Sequence, residues 1–301
     1  MERFVVDWLM KYIGPKLDPN QFGGLKGNSI SHYMIELLNF ILYNQDYDLP
    51  IAVLMCAIDF SKAFNRQNHN IIITLLSDMG VPGWLLNIVM GFLSDREMVV
   101  NFKGETSSKK PLPGGGPQGT LLGLLLFLVL VNSCGFKSGG QIGEQITNKK
   151  SKFKPTVHHS KFVDDLTIAE AFNLRESIIP NPNRIQPDNY HARLGQKLDS
   201  TKSKVYEQID RTNDYANQMQ MKMNLHKTKF MVFNPTSNFD FIPEHKEIET
   251  TEEMKLLGLV IRNDLSWRSN TEQMIKKAYI RLWIVKRLIL NGASRGDLID
   301  V

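Results

Sequence analysis

Apolar residues first recur at helical spacing. Phe4, Val5, Trp8, Leu9, Tyr12 and Ile13 follow that period and Gly14-Pro15 ends it, which predicts a helix up to Ile13. A glycine-rich loop over 20–28 leads into a second amphipathic helix, which starts at about Ser29 and places Tyr33, Met34, Leu37, Leu38 and Ile41 on one face. The pattern then changes. Ile51 to Ile58 is apolar on both parities and bounded by Leu49-Pro50 and Asp59, as expected of a strand buried on both faces. Helical periods return at about 68–79 and again after Val81-Pro82, where proline suits a first helical turn. Arg96 to Lys103 reads as a strand, Lys109 to Gly116 as a Pro/Gly loop and Leu121 to Val131 as a buried helix. Val157 to Ala169 predicts two short strands meeting near Asp164-Asp165. Polar stretches at about 132–156 and 173–198 read as partly disordered insertions. A polar helix over roughly 199–221, strands at Lys229 to Phe233 and Met254 to Ile261, and a basic amphipathic helix at about 269–290 complete the chain. Strands and helices mix without regular alternation, which predicts an α+β core, an antiparallel sheet backed by helices.

Composition narrows the classes. With 301 residues, 42% of them apolar, the chain can bury a sizeable core. Lysine and arginine exceed aspartate and glutamate by 36 to 31, and the resulting +5 fits a polyanionic partner without requiring one. Cys56 and Cys134 have neither zinc-type spacing nor the density of a disulfide framework, so the reducing interior of a cell, nucleus or cytoplasm, is the expected compartment. The N-terminus lacks the order of a secretion signal, and Leu121 to Val131 is too short to span a bilayer, so neither export nor a membrane is expected.

Three acids stand out against their surroundings. Asp59 ends a buried apolar run, and Asp164-Asp165 is an acidic pair between Phe162-Val163 and Leu166. An ionised carboxylate there is costly unless compensated. Such an acid can serve as a turn or cap residue, and spacing alone does not bring Asp59 to Asp164. If the two strands are neighbours, the acids converge and repel, and a hard divalent cation resolves the conflict. That is the arrangement for nucleotidyl transfer with two metals, about 4 Å apart, clamping the attacking and leaving oxygens.

Six segments, in order, resemble the motifs of reverse transcriptases, especially those of non-LTR retrotransposons. Gln21-Phe22-Gly23-Gly24-Leu25-Lys26-Gly27 is similar to the block where fingers pass into palm, and Ala57-Ile58-Asp59-Phe60-Ser61-Lys62-Ala63-Phe64 resembles the first palm motif. Gly114-Gly115-Gly116-Pro117-Gln118-Gly119-Thr120 resembles the second and Phe162-Val163-Asp164-Asp165 the third. Asn224-Leu225-His226-Lys227-Thr228-Lys229 looks like the lysine motif, and Leu256-Leu257-Gly258 with Leu265-Ser266-Trp267 like the primer-grip region. The resemblance covers nearly the whole chain. It implies a right-hand polymerase palm with partial fingers and the start of a thumb: 1–50 as fingers remnant, 51–250 as palm and 251–301 as primer-grip hairpin and thumb.

The same resemblance implies residue roles. Asp59, Asp164, the less secure Asp165 and the Phe60 backbone carbonyl would hold two Mg2+ ions, or Mn2+. Phe64 would crowd the ribose 2′-position and so favour dNTPs; Gly116, Pro117, Gln118, Gly119, Phe162 and Val163 would line the nucleotide. Lys227, or its rival Lys229, would serve departing pyrophosphate, and either is otherwise a solvated surface lysine. Leu257, Gly258, Lys276, Lys277 and Arg281 would contact an RNA template with its DNA primer, sequence-independently through phosphate. The sequence departs from the family at Asn65, where a second aspartate is common, and at Val163, where alanine is common. It also lacks upstream fingers strands, an endonuclease domain and most of a thumb. The chain therefore reads as an N-terminally truncated piece with little polymerase activity alone. An RNA-dependent RNA polymerase, which Phe64 disfavours, and a catalytically dead nucleic-acid-binding module are the alternatives.

Overall fold

Strand β1 (Ile51–Ile58) is the axis of the structure. The computed structural model describes residues 2–46, 51–112, 114–134, 156–173, 203–233 and 247–294. Ahead of β1 come helix α1 (Glu2–Ile13), closed by a 3-10 turn at Gly14–Lys16, and α2 (Ile30–Gln45), whose N-cap Ser29 accepts the His32 amide. After it come α3 (His69–Asp78), capped by the Asn68 side chain, and α4 (Gly83–Leu93). Pro82 sits at the N-cap of α4, one step before the first turn.

The strand expected over Arg96 to Lys103 is two short strands instead, β2 (Glu97–Met98) and β3 (Asn101–Phe102). They pair with β5 (Lys110–Pro111) and β4 (Glu105–Thr106) respectively. All of these residues are exposed, so no buried face demands one continuous strand. Helix α5 (Leu121–Leu130) follows, then β6 (Thr156–Phe162), β7 (Asp165–Asn173), α6 (Lys204–Gln218), β8 (Lys229–Phe233) and β9 (Glu249–Thr250). The insertions expected at about 132–156 and 173–198 fall for the most part outside the described residues.

The main sheet has the order β6-β7-β1-β8-β9, antiparallel except for the last pair. Central β1 is covered on both faces, which is why both parities of its sequence are apolar. Ala52, Leu54, Cys56 and Ile58, with Leu166, Ile168 and Phe172 of β7, join α1 and α3 to α6 in one core. The opposite face receives α2, where Phe40 stacks on His158 and Tyr33 meets Phe162 edge-on. Tyr33 also donates to the Thr167 hydroxyl. Buried Glu170 of β7 accepts the Ser203 hydroxyl and the Val205 amide, so a strand carboxylate caps α6.

Residues 1–250 form one compact unit and 251–301 a second. In the second, the strand expected over Met254 to Ile261 is a hairpin, β10 (Glu253–Leu256) and β11 (Leu259–Arg262), turned by Leu257 and Gly258 with φ of 49° and 89°. Two successive left-handed residues make a tight hairpin turn, which splits the apolar run. Helix α7 (Arg268–Leu290) follows, and its Asn270 side chain accepts the Val260 amide. No helix among the described residues is long and apolar enough to cross a membrane.

Candidate active site

The acids predicted from sequence lie where β1 ends beside the β6–β7 turn. β1 and β7 pair antiparallel up to Ile58↔Leu166, so Asp59 and Asp165 are the next residues in that register. Asp164 occupies the two-residue turn between β6 and β7, which closes on the pair Phe162↔Asp165. Asp59 and Asp165 are thus cross-strand neighbours, with Asp164 in the turn beside them. Burial, then the charge of Asp59, raises the Asp164 pKa despite an opposing backbone hydrogen bond. Burial, then Asp164, then Asp59, pushes Asp165 up to about 6. Among the described residues, no three His, Cys, Asp or Glu side chains are grouped closely enough to hold a metal ion by themselves. Like charge at Asp59, Asp164 and Asp165 is chemistry that suits a divalent ion, which takes one or two acids and completes its shell from a bound ligand.

The backbone around Asp59 is held by the 222–228 segment. The Asn224 amide donates to the Asp59 carbonyl at 2.8 Å and the Ser61 amide to the Lys222 carbonyl at 2.8 Å. These bonds flank the Phe60↔Met223 bridge and leave the Phe60 carbonyl out of it. The Asp59 amide donates to the buried Thr228 hydroxyl, which itself donates to Asn224. Lys227 is exposed on the same turn, whereas Lys229 pairs with Glu249 at 3.2 Å. Ion pairing thus occupies Lys229 and leaves Lys227 facing solvent.

The glycine loop is tied to the segment after Asp59. The Gly116 amide donates to the Phe64 carbonyl at 2.8 Å, the Gly115 amide to the Gln67 carbonyl at 2.9 Å, and His69 meets the Gly115 carbonyl at 2.9 Å. Gly115 has φ of 86°, which favours glycine, and a Cβ on Gly116 would sit 2.5 Å from the end of the Gln67 side chain and displace it. The Gln67 amide is buried there with no hydrogen-bond partner among the described residues. Half-buried Phe64 stacks on Phe127 of α5 with ring centroids 4.3 Å apart. Gln118 and Gly119 are exposed and Pro117 half-buried at the head of α5.

Leu257 and Gly258 form the β10–β11 turn, and Lys276, Lys277 and Arg281 are exposed on α7. These belong to the second unit. The supports that sequence reasoning missed are Gln21, Asn224, Thr228 and His69. Gln21 is 3% exposed, and its side-chain carbonyl accepts the amides of Gly23 at 2.9 Å and Val163 at 3.0 Å. A buried polar group must find partners, but only the fold shows which.

An antiparallel sheet with helices on both faces and acids at the end of β1 defines a polymerase-palm architecture. The sequence profile of the reverse transcriptase (RNA-dependent DNA polymerase) family matches residues 1–261, and the chain belongs to that family. No curated protein matches the sequence significantly. Among solved structures, apo telomerase from Candida tropicalis, truncated from the C-terminal domain, superposes with a TM-score of 0.50 at 13% identity, covering 88% of this chain and 44% of that one. The Candida tropicalis telomerase in complex with a TWJ fragment of telomeric RNA gives 0.50 at 14% identity, covering 87% and 36%. The likeness is one of fold, and this chain spans less than half the length of those telomerases.

Proposed function

We propose that this chain is the polymerase core of a non-LTR retroelement reverse transcriptase, adding dNTPs to a primer 3′-hydroxyl on an RNA template. The observation that carries the reading is the register of Asp59 with Asp165 at the end of β1, with Asp164 in the adjoining turn, and the upward shifts that the acids impose on one another. Asp59 and Asp164, with Asp165 beside them and the Phe60 carbonyl as a further oxygen donor, would hold two magnesium ions. Magnesium, when bound, supplies charge stabilisation at the attacking and leaving oxygens. The 116–119 backbone approaches the nucleotide and Gln118 offers it an amide, while Phe162 and Val163 shape the floor. Phe64, which stacks on Phe127, would crowd the ribose 2′-position of the incoming nucleotide. Exposed Lys227 meets pyrophosphate as it leaves. Leu257, Gly258 and the cations of α7 follow the primer–template duplex.

The test is dTTP incorporation on an oligo(dT) primer annealed to poly(rA). The expected result is slow, magnesium-dependent extension that Asp59→Asn or Asp164→Asn lowers by roughly a thousandfold, several kcal/mol of transition-state stabilisation. In the same assay with ribonucleotides, Phe64→Ala should admit UTP about tenfold better or more, since steric exclusion is its role. Nucleic-acid binding that ignores both magnesium and Asp164→Asn, with no extension, would assign a non-catalytic binding module instead.

A further inference from the structure

The loop that precedes α2 grips the β6–β7 turn from outside the sheet. The Phe22 amide donates to the Lys161 carbonyl at 2.8 Å and the Lys161 amide to the Asn20 carbonyl at 2.9 Å, so residues 20–22 are joined to the end of β6 by one parallel bridge. Gly23 lies against the turn itself. A Cβ there would sit 2.6 Å from the Val163 nitrogen and 2.7 Å from its Cγ2. Val163 has φ of 61°, in the left-handed region where a β-branched residue is strained. Such a conformation persists only where its surroundings over-determine it. The Gln21 side-chain carbonyl accepts the Val163 amide at 3.0 Å and the Gly23 amide at 2.9 Å, and the Gln21 backbone carbonyl accepts Asn28 Nδ2 at 3.1 Å. Gln21 is buried, so no solvent competes for these bonds. The residue after Val163 is Asp164.

We infer that Gln21 is a positioning residue for the metal-binding acids: its side-chain oxygen fixes the strained turn at Val163 and thereby the direction of the Asp164 carboxylate. The inference rests on the polymerase reading above for what Asp164 binds. The hydrogen-bond geometry is independent of that reading. Gln21 touches neither nucleotide nor metal and acts through the Val163 backbone. Groups that orient a metal ligand typically change metal affinity 10–100-fold when removed.

Gln21→Met keeps the length and bulk of the side chain and deletes the acceptor. The full chain with dTTP and oligo(dT)·poly(rA) is titrated with Mn2+ and followed by electron paramagnetic resonance, beside hydrogen exchange of the Val163 amide. Expected are Mn2+ binding at least about tenfold weaker, faster exchange at Val163 with unchanged protection in β1, and an unchanged Kd for primer–template. Gln21→Glu keeps an acceptor oxygen and should retain Val163 protection. Should Gln21→Met fail to fold, Gln21→Asn, which draws the oxygen back by one methylene, gives the same comparison. Mn2+ binding and Val163 protection in the Met or Asn variant equal to wild type would overturn the role of Gln21 and leave the polymerase reading standing. Wild-type Mn2+ binding that Asp164→Asn leaves unchanged would remove both.

Discussion

The β6–β7 hairpin carries buried charge in two places and treats it in opposite ways. On strand β6, His159 and Lys161 close on Asp18 at 2.9 and 2.7 Å, and Lys161 also donates to the carbonyl of Asn132 at 2.7 Å. Asp18 in turn accepts the Asn20 amide. Burial alone would raise the Asp18 pKa, but the His159 hydrogen bond and the Lys161 charge outweigh it and hold the carboxyl near 2. At the turn, Asp164 and Asp165 face Asp59, and both are raised. The first cluster is complete within the chain and ties the 16–20 segment to the end of α5 and to β6. In the second, the acids push one another's pKa upward. A buried acid with its partners built in is architecture; acids that repel one another are the kind of perturbed group that clusters at functional sites.

The contrast yields measurements of opposite sign. The largest effect is expected from Lys161→Met, which leaves Asp18 only His159 and the Asn20 amide and should cost about 3 kcal/mol in urea unfolding. A change below about 1 kcal/mol would mean that the cluster does not anchor the loop. Next in size is the pH dependence carried by His158. Burial first, then neighbouring His159, lowers its pKa to about 4. The unfolded chain takes up the proton near 6.5 while the folded one resists until about 4. Stability should therefore fall by roughly 2–3 kcal/mol as pH drops across that window. His158→Phe, which preserves the stack on Phe40, should flatten that slope. Asp18 contributes differently: its stabilisation holds above the unfolded value of 3.8 and disappears only as pH falls through about 2. The smallest effect is expected from Asp164→Asn, whose melting temperature without metal should stay level or rise, corresponding to about 1 kcal/mol or less at this half-exposed site. A clear loss of stability there would show that Asp164 is structural, like Asp18.

Much of this was legible in the chain. The apolar run Ile51 to Ile58 specified a doubly covered strand ending at Asp59, and the breaks at Gly14-Pro15 and Val81-Pro82 marked helix boundaries, because periodicity and local turn chemistry act over a few residues. Local signals misled where neighbours decided. The run from Met254 to Ile261 is cut in two by the Leu257-Gly258 turn, as the family resemblance implied, and Gly258 is its one local signal. The short exposed strands after Arg96 have no buried face to fix their extent. The motif order pointed to the acids and the glycine loop, but gave no role to Gln21, Asn224, Thr228 or His69.

The sequence by itself determined the apolar pattern of the elements and the residues able to do chemistry. Only the tertiary structure decided that Asp59 lies in register with Asp165, that Lys229 is paired while Lys227 is exposed, and that Gln21 reaches Val163. These are contacts between residues distant along the chain. Their energies depend on burial, register and the direction of single backbone groups, none of which a local pattern of side chains encodes.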